Sequence, residues 1–114
     1  MLRSSSRIRA SSFDSTLKNT RSVHGRFASV SYFQSPAPLG EGRFAVVASK
    51  AVAKQAVARN KLRRRGYSLI REFNLNKKKG LVCIIFFKKG AKDIKFDELK
   101  DDLGMLFRKA GLLS

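Results

Sequence analysis

Five cations and one asparagine stand within eight residues near the middle of the chain, in the segment 58–65. Guanidinium groups bind phosphate through paired hydrogen bonds, and an amide side chain bonds bases or sugars. Between Lys50 and Lys79 the sequence carries eleven cations and a single acid, Glu72. A solvated helix face usually mixes both signs of charge, so this imbalance favours a surface that binds a polyanion. The alternative is that these charges only keep a helix in solution.

An amphipathic helix over about residues 50–73, capped by Ser49, is predicted from the spacing of apolar residues around this segment. At about 100° per residue, one side of it carries Ala51, Ala58, Leu62, Gly66, Leu69 and Phe73. The opposite side carries Asn60, Arg63, Arg64, Tyr67 and Arg71. The apolar side would anchor the helix and leave the polar side for binding. Arg65 lies nearer the packed side, where its stem would pack.

The composition indicates one small domain with a strongly cationic surface. The chain has 114 residues, 43% of them hydrophobic, a net charge of +17 and a pI of about 11.1. RNA, DNA or an anionic membrane would relieve the self-repulsion of such a charge. The longest apolar run, residues 81–87, is far shorter than the roughly 20 residues of a membrane-spanning helix. A membrane-surface helix is disfavoured because the chain lacks Trp, and a DNA-binding role because no helix-turn-helix or zinc spacing is present.

Few residues are suited to catalysis. Cys83 is the only cysteine, which excludes a disulfide framework or a cysteine-based metal site within one chain, and we interpret it as a core residue. His24 is the only histidine, beside a glycine, and is interpreted as a turn residue. Four acids near the start of the last helix complement its dipole and are disfavoured as metal ligands: Asp97, Glu98, Asp101 and Asp102. These features suit a cytosolic protein.

An α+β domain over residues 13–114 is predicted, preceded by a basic arm over residues 1–12. The arm has three Arg, five Ser and no acid; a transit peptide is the alternative to an arm that orders on RNA. The predicted elements are a short helix at 13–18 capped by Ser11 or Ser12, strands at 26–33 and 43–49, the long helix, a buried strand at 81–87 and a helix at 96–110 ended by Gly111. Residues 21–25 are predicted to form a turn, and 34–42, 74–80 and 88–95 to form loops. The order α-β-β-α-β-α indicates a small mixed sheet packed with helices.

The long helix and the strand before it resemble the protein component of bacterial ribonuclease P. That family has a strand ending in Ser-Lys, a segment ending in Ala-Val, and then Arg-Asn-Arg followed by an apolar residue and two cations. The corresponding residues here are Ser49-Lys50, Ala56-Val57 and the segment 59–64. Phe13, the strand at 81–87 and the ending at 106–113 add weaker likenesses.

The sequence departs from the family pattern at several positions. Lys61 stands where Arg is commoner, and Tyr67 stands where the family often repeats an Arg. Leu17 replaces a frequent aromatic residue, and the spacing between Ser-Lys and Arg-Asn is one residue longer. One cation contact and one stacking contact of the family are therefore altered in this chain.

The resemblance implies a ribonuclease P protein-like sandwich with a left-handed β-α-β crossover, an exception to the usual handedness. It implies that a large RNA performs catalysis and holds Mg²⁺. The protein would act as the accessory subunit of this endoribonuclease, binding that RNA and the single-stranded 5′ leader of precursor tRNA. The holoenzyme would hydrolyse one phosphodiester to leave a mature tRNA 5′ end. We expect one protein per RNA, no membrane partner and a cytoplasmic location.

We predict that the catalytic RNA is contacted by Lys50, Lys54, Arg59, Asn60, Lys61, Arg63, Arg64 and Arg71. Phe13, Leu17 and Tyr32 would line the leader cleft between the first helix and the sheet, where stacking is worth roughly 1–3 kcal/mol per base. Core packing is the alternative for Phe13. No protein residue is predicted to be catalytic or assigned as a metal ligand. The rival function is a non-catalytic RNA-binding module, such as a ribosomal protein or RNA chaperone.

Overall fold

A computed structural model of the protein describes residues 21–34 and 42–113. Its strands are β1 (Arg21–His24), β2 (Ala28–Gln34), β3 (Arg43–Val47) and β4 (Leu81–Phe87). Its helices are α1 (Ala56–Glu72) and α2 (Phe96–Lys109), and short 3₁₀ turns occupy Leu75–Lys77 and Ala91–Asp93. The predicted basic arm and first helix lie outside the described residues. Neither α1 nor α2 is long and apolar enough to cross a membrane.

The four strands form one mixed sheet in the order β1-β2-β4-β3. β1 pairs antiparallel with β2, and β2 with β4, whereas β3 pairs parallel with β4. The continuous apolar run of β4 lies inside the sheet, as its sequence predicts. The predicted α+β fold with a mixed sheet is confirmed, and β3, α1 and β4 form its β-α-β unit. The handedness of that unit stays a prediction of the resemblance.

Both helices pack against one face of the sheet. Strand alternation brings Phe44 and Val46 of β3 and Cys83 and Ile85 of β4 into one buried cluster with both helices. The helices contribute Leu62, Leu69, Ile70, Leu99, Leu103, Leu106 and Phe107 to this core. The face directed away from α1 and α2, here called the second face, carries Ser29, Ser31, Phe33, Arg43, Ala45, Val47, Val82, Ile84 and Phe86.

The prediction of a turn at residues 21–25 is wrong, because residues 21–24 form strand β1 and His24 ends it. The predicted strand at 26–33 correspondingly begins later, at Ala28. The hairpin turn between β1 and β2 is held by α2, since both carboxylate oxygens of Asp102 accept backbone N–H bonds, from Arg26 at 3.1 Å and Phe27 at 3.0 Å. This contact joins segments that are 75 and 76 residues apart in the chain, so local patterns do not reveal it.

The long helix begins at Ala56 and not at about residue 50, with Gln55 in place of Ser49 as its N-terminal cap. Ser49 instead begins a separate turn, because its carbonyl accepts the N–H groups of Val52 and Ala53, both at 3.1 Å. Val52 and Ala53 are buried, which fixes this turn against the core. We call residues 49–55 the cationic turn, since Lys50 and Lys54 lie on it and not on the helix.

The helix α1 is rotated slightly from its predicted orientation. Leu62, Gly66 and Leu69 are buried as predicted, but Ile70 is buried as well. Tyr67, predicted on the exposed side, is half-buried and packs against the core. Gly66 allows a close approach to the sheet, since a Cβ atom there would lie 2.7 Å from Cγ1 of Val46.

The last helix, α2, ends as its sequence predicts. Gly111 has a positive φ of 77°, the left-handed conformation that favours glycine. The N–H of Gly111 donates to the carbonyl of Arg108 at 3.0 Å, and the N–H of Leu112 donates to the carbonyl of Phe107 at 2.8 Å. These two bonds form a Schellman motif, which satisfies carbonyls left free at the helix end.

Candidate nucleic-acid interface

The side of α1 that faces away from the core is densely cationic. Asn60, Lys61, Arg64 and Arg71 are exposed, and Arg63 is half-buried. We call these five residues the basic face. Lys50 and Lys54 are exposed on the cationic turn, directly before the helix. The structure therefore groups the predicted RNA-contacting residues on one helix and the turn that leads into it, and their contact with RNA stays a prediction.

Arg59 differs from the other cations because the protein itself uses its guanidinium group. Its Nη1 atom donates to the carbonyl of Ala53 at 3.0 Å and to that of Lys54 at 2.7 Å. Both acceptors belong to the cationic turn, so the side chain ties the turn to the first turns of α1. No local sequence signal distinguishes this role from phosphate binding, because both require a planar donor with several N–H groups.

Three further side chains of the segment 58–65 are held in place by short-range or tertiary contacts. The Nη2 atom of Arg63 donates to Oδ1 of Asn60, one helical turn earlier. The Nη1 atom of Arg65 donates to the carbonyl of Ile94 at 3.3 Å, and Arg65 is half-buried. Arg65 therefore packs beside the loop before α2, as predicted, while Asn60 and Arg63 hold each other on the exposed side.

The acids leave the basic face unneutralised within the described part of the chain. Glu72, the one acid of the segment 50–79, pairs with Lys100 of α2, and this is the single ion pair among the described residues. The pKa of Lys100 is raised, first by its hydrogen bond to the Glu72 carboxylate and then by the charge of that carboxylate. The acid of α1 therefore serves the contact between the helices, and the basic face keeps its positive potential.

The residues predicted for the leader cleft are only partly described. Phe13 and Leu17 lie outside the described residues. Tyr32 is half-buried and packs against the core, on the sheet face that α1 and α2 cover. Its neighbour Phe33 lies on the second face, opposite Val82 in the register of β2 and β4. The role of all three predicted cleft residues stays a prediction.

Candidate catalytic and metal-binding groups are scarce in residues 21–34 and 42–113. No group of His, Cys, Asp and Glu side chains there has the arrangement that holds a metal ion. The carboxylate of Asp102 bonds the backbone of the β1–β2 turn, a role that sequence reasoning missed. Burial raises the pKa of the Cys83 thiol to about 12, so this thiol is not a nucleophile at neutral pH.

Comparison with known proteins gives consistent results. The chain matches the family model described as Ribonuclease P over residues 2–111. It is 37% identical over 97 residues to the ribonuclease P protein component of Thermus aquaticus, covering 85% of this chain and 55% of that protein. The chain thus spans about half the length of this curated relative.

Solved structures show the same fold. The RNase P protein of Staphylococcus aureus superposes with a TM-score of 0.82 at 21% identity, covering 96% of this chain and 98% of that one. The RNase P protein of Thermotoga maritima gives a TM-score of 0.75 at 19% identity, covering 90% and 96%. At these identities the structural likeness supports the fold alone. Membership of the family is supported by the family model, which matches the sequence itself.

Proposed function

Because the chain belongs to the ribonuclease P protein family, we propose that it is the protein subunit of ribonuclease P. It would bind the catalytic RNA and precursor tRNA and promote Mg²⁺-dependent endonucleolytic removal of the 5′ leader. The observation that carries this proposal is the basic face of α1 and its cationic turn, whose charges no acid of the described residues pairs. One protein per RNA and a cytoplasmic location belong to the same proposal.

The chemistry of cleavage is assigned to the RNA in this proposal. Magnesium would activate the attacking water and stabilise the leaving oxygen, and the described side chains form no group that would hold it. The protein would neutralise RNA phosphates through Arg63, Arg64, Lys61 and their neighbours. Each phosphate contact releases counterions, so binding would weaken as salt is added. The slope of log affinity against log salt concentration would have a magnitude of roughly 0.7–0.9 per contact. Lower repulsion would let magnesium and substrate bind more tightly.

We propose that the second face of the sheet contributes to leader binding. Phe33 and Val82 are neighbours on that face and half-buried, and the exposed Arg43 follows beside Val82 in the parallel register of β3 and β4. An aromatic ring stacks on bases of any sequence, and a guanidinium group binds the backbone. Phe13 and Leu17, on the helix that the sequence predicts before β1, would complete this cleft. The register favours Phe33 over Tyr32 as its strand aromatic.

Reconstitution tests the proposal. The purified protein is mixed with a bacterial ribonuclease P RNA and a 5′-labelled precursor tRNA at low magnesium, with protein-alone and RNA-alone controls. With both components present we expect cleavage at the mature 5′ end. With either component alone we expect no cleavage or far slower cleavage. The rival RNA-binding module would be favoured if the protein bound RNA tightly but gave no gain in cleavage. This result would have to hold also with a ribonuclease P RNA from the same source as the protein. Cleavage by the protein alone would contradict the assignment of catalysis to the RNA.

A further inference from the structure

A second cationic surface lies at the other end of α1. The loop between α1 and β4, residues 74–80, carries three consecutive exposed lysines, Lys77, Lys78 and Lys79. We call it the lysine loop. Within the described part of the chain none of these lysines forms an ion pair, since the one pair present joins Glu72 to Lys100. Their three charges are therefore concentrated and uncompensated by any described acid.

The backbone of the lysine loop is held on several sides. Leu75 is fully buried and anchors the loop in the core. Within the loop, the N–H of Lys77 donates to the carbonyl of Asn74 at 3.2 Å, and the N–H of Lys78 donates to the carbonyl of Leu75 at 3.0 Å. The side chain of Gln34 in β2 donates to the carbonyl of Lys79 at 2.7 Å. A loop built in this way presents its lysines from a fixed backbone.

The β3 strand holds the loop as well. The N–H of Gly42, directly before β3, bonds the carbonyl of Asn76 at 3.2 Å. The loop is thus attached to β2, β3 and the core at once, which limits the entropy that its backbone would lose on binding a partner.

The position of the loop separates it from the cationic turn. The helix α1 has 17 residues, so it is about 25 Å long at 1.5 Å per residue. The cationic turn lies at its N-terminal end and the lysine loop follows its C-terminal end. Along the chain, Arg71 in the last turn of α1 lies between the segment 58–65 and the three lysines. Groups that a rigid helix holds about 25 Å apart can reach different backbone segments of a large RNA.

We propose that Lys77, Lys78 and Lys79 form a second phosphate-binding surface, which engages a backbone segment of the catalytic RNA other than the one bound by the cationic turn and the segment 58–65. This inference rests on the proposed function as the ribonuclease P subunit. Lysine suits the role because its ammonium group binds phosphate as a point charge without a fixed orientation. Two attachments on one rigid protein raise affinity beyond either alone, because the second binds at high effective concentration.

The test compares two triple variants that remove the same charge. One is Lys77→Gln, Lys78→Gln and Lys79→Gln, and the control is Lys89→Gln, Lys92→Gln and Lys95→Gln, exposed lysines of the loop before α2. Affinity for a bacterial ribonuclease P RNA is measured over a range of salt concentrations. We expect the lysine-loop variant to lower the slope of log affinity against log salt by about two to three. The control should lower it by less than one.

Each outcome decides between the proposals. An equal loss of slope in both variants would show an effect of net charge and overturn the second surface, as would an unchanged slope in the lysine-loop variant. Failure of the wild-type protein to bind the RNA would overturn the proposed function, and this inference with it. A third variant, Lys77→Arg, Lys78→Arg and Lys79→Arg, should keep the slope of the wild type. Circular dichroism of every variant shows that a lost slope does not come from unfolding.

Discussion

At the scale of single residues, the same chemistry serves two different purposes in one helix. Arg59 and Arg64 are five residues apart and carry the same group. The guanidinium of Arg59 bonds two carbonyls of the cationic turn, whereas Arg64 is exposed on the basic face. The sequence alone predicts that both residues contact RNA. The hydrogen bonds indicate that Arg59 shapes the surface that presents Lys50 and Lys54.

We predict that Arg59→Lys disorders the cationic turn although it preserves the charge. A lysine lacks the planar fork and cannot bond both carbonyls in the same way. RNA affinity should fall by roughly 3- to 30-fold, since a charged hydrogen bond is worth about 1.5–3 kcal/mol at most and Arg59 is only half-buried. Amide exchange at Val52 and Ala53, whose N–H groups bond Ser49, should become faster.

The matched control for this prediction is Arg64→Lys. Arg64 is exposed, so its replacement keeps a cation on the basic face and disturbs no turn. RNA affinity should stay within a fewfold of the wild type, and exchange at Val52 and Ala53 should not change. Equal losses for both variants, with unchanged exchange, would show that Arg59 acts as an ordinary phosphate contact.

At the scale of elements, the basic face depends on how closely α1 approaches the sheet. Gly66 lies over Val46 of β3, and a Cβ atom at this position would come within 3.4 Å of the Phe87 ring of β4 as well. Leu62 and Leu69, one helical turn to either side of Gly66 in the sequence, are buried in the same core. A shift of the helix away from the sheet would therefore move the cations that it carries.

Gly66→Ala should destabilise the protein although alanine is the better helix former. The gain in helix propensity, about 1 kcal/mol, is opposed by the 2.7 Å contact with Val46, and such overpacking costs typically 1–3 kcal/mol. Gly104→Ala in α2 is the control, because its Cβ would meet the Phe73 ring at 3.3 Å, a contact that a small shift relieves. Urea denaturation of both variants measures the difference. A Gly66→Ala protein more stable than the Gly104→Ala protein would contradict this packing.

At the scale of the whole molecule, charge is separated between two regions. Five of the eight acids lie between Asp93 and Asp102, on α2 and the turn before it, while α1, the cationic turn and the lysine loop are cationic. The net charge of +17 repels itself in the free protein. Binding of the proposed RNA partner would relieve this repulsion, so salt should stabilise the free protein by screening while it weakens the complex.

The double variant Arg63→Ala and Arg64→Ala separates these two effects. It should lower the salt slope of RNA binding by about one to two, because two phosphate contacts are lost. The melting temperature of the free protein should change by only a few degrees, since both side chains lie outside the core and alanine favours the helix. Calorimetry and RNA titrations measure both. An unchanged slope would remove these residues from the interface.

The sequence by itself determined the features that depend on near neighbours. The strand Leu81–Phe87 follows from an uninterrupted apolar run, and the end of α2 follows from Gly111 after an amphipathic segment. The excess of cations between Lys50 and Lys79 indicated a polyanion partner without any coordinates. Composition and periodicity are local quantities, so an element whose burial pattern is carried by its own residues can be recognised without knowledge of its partners.

Only the tertiary structure decided the features that depend on partners far along the chain. The strand Arg21–His24 exists because β2 pairs with it and Asp102 of α2 holds the turn between them. The start of α1 at Ala56 follows from the burial of Val52 and Ala53, which makes a turn more favourable there than another helical turn. These energies come from hydrogen bonds and buried surface between distant segments, and no window of neighbouring residues contains them.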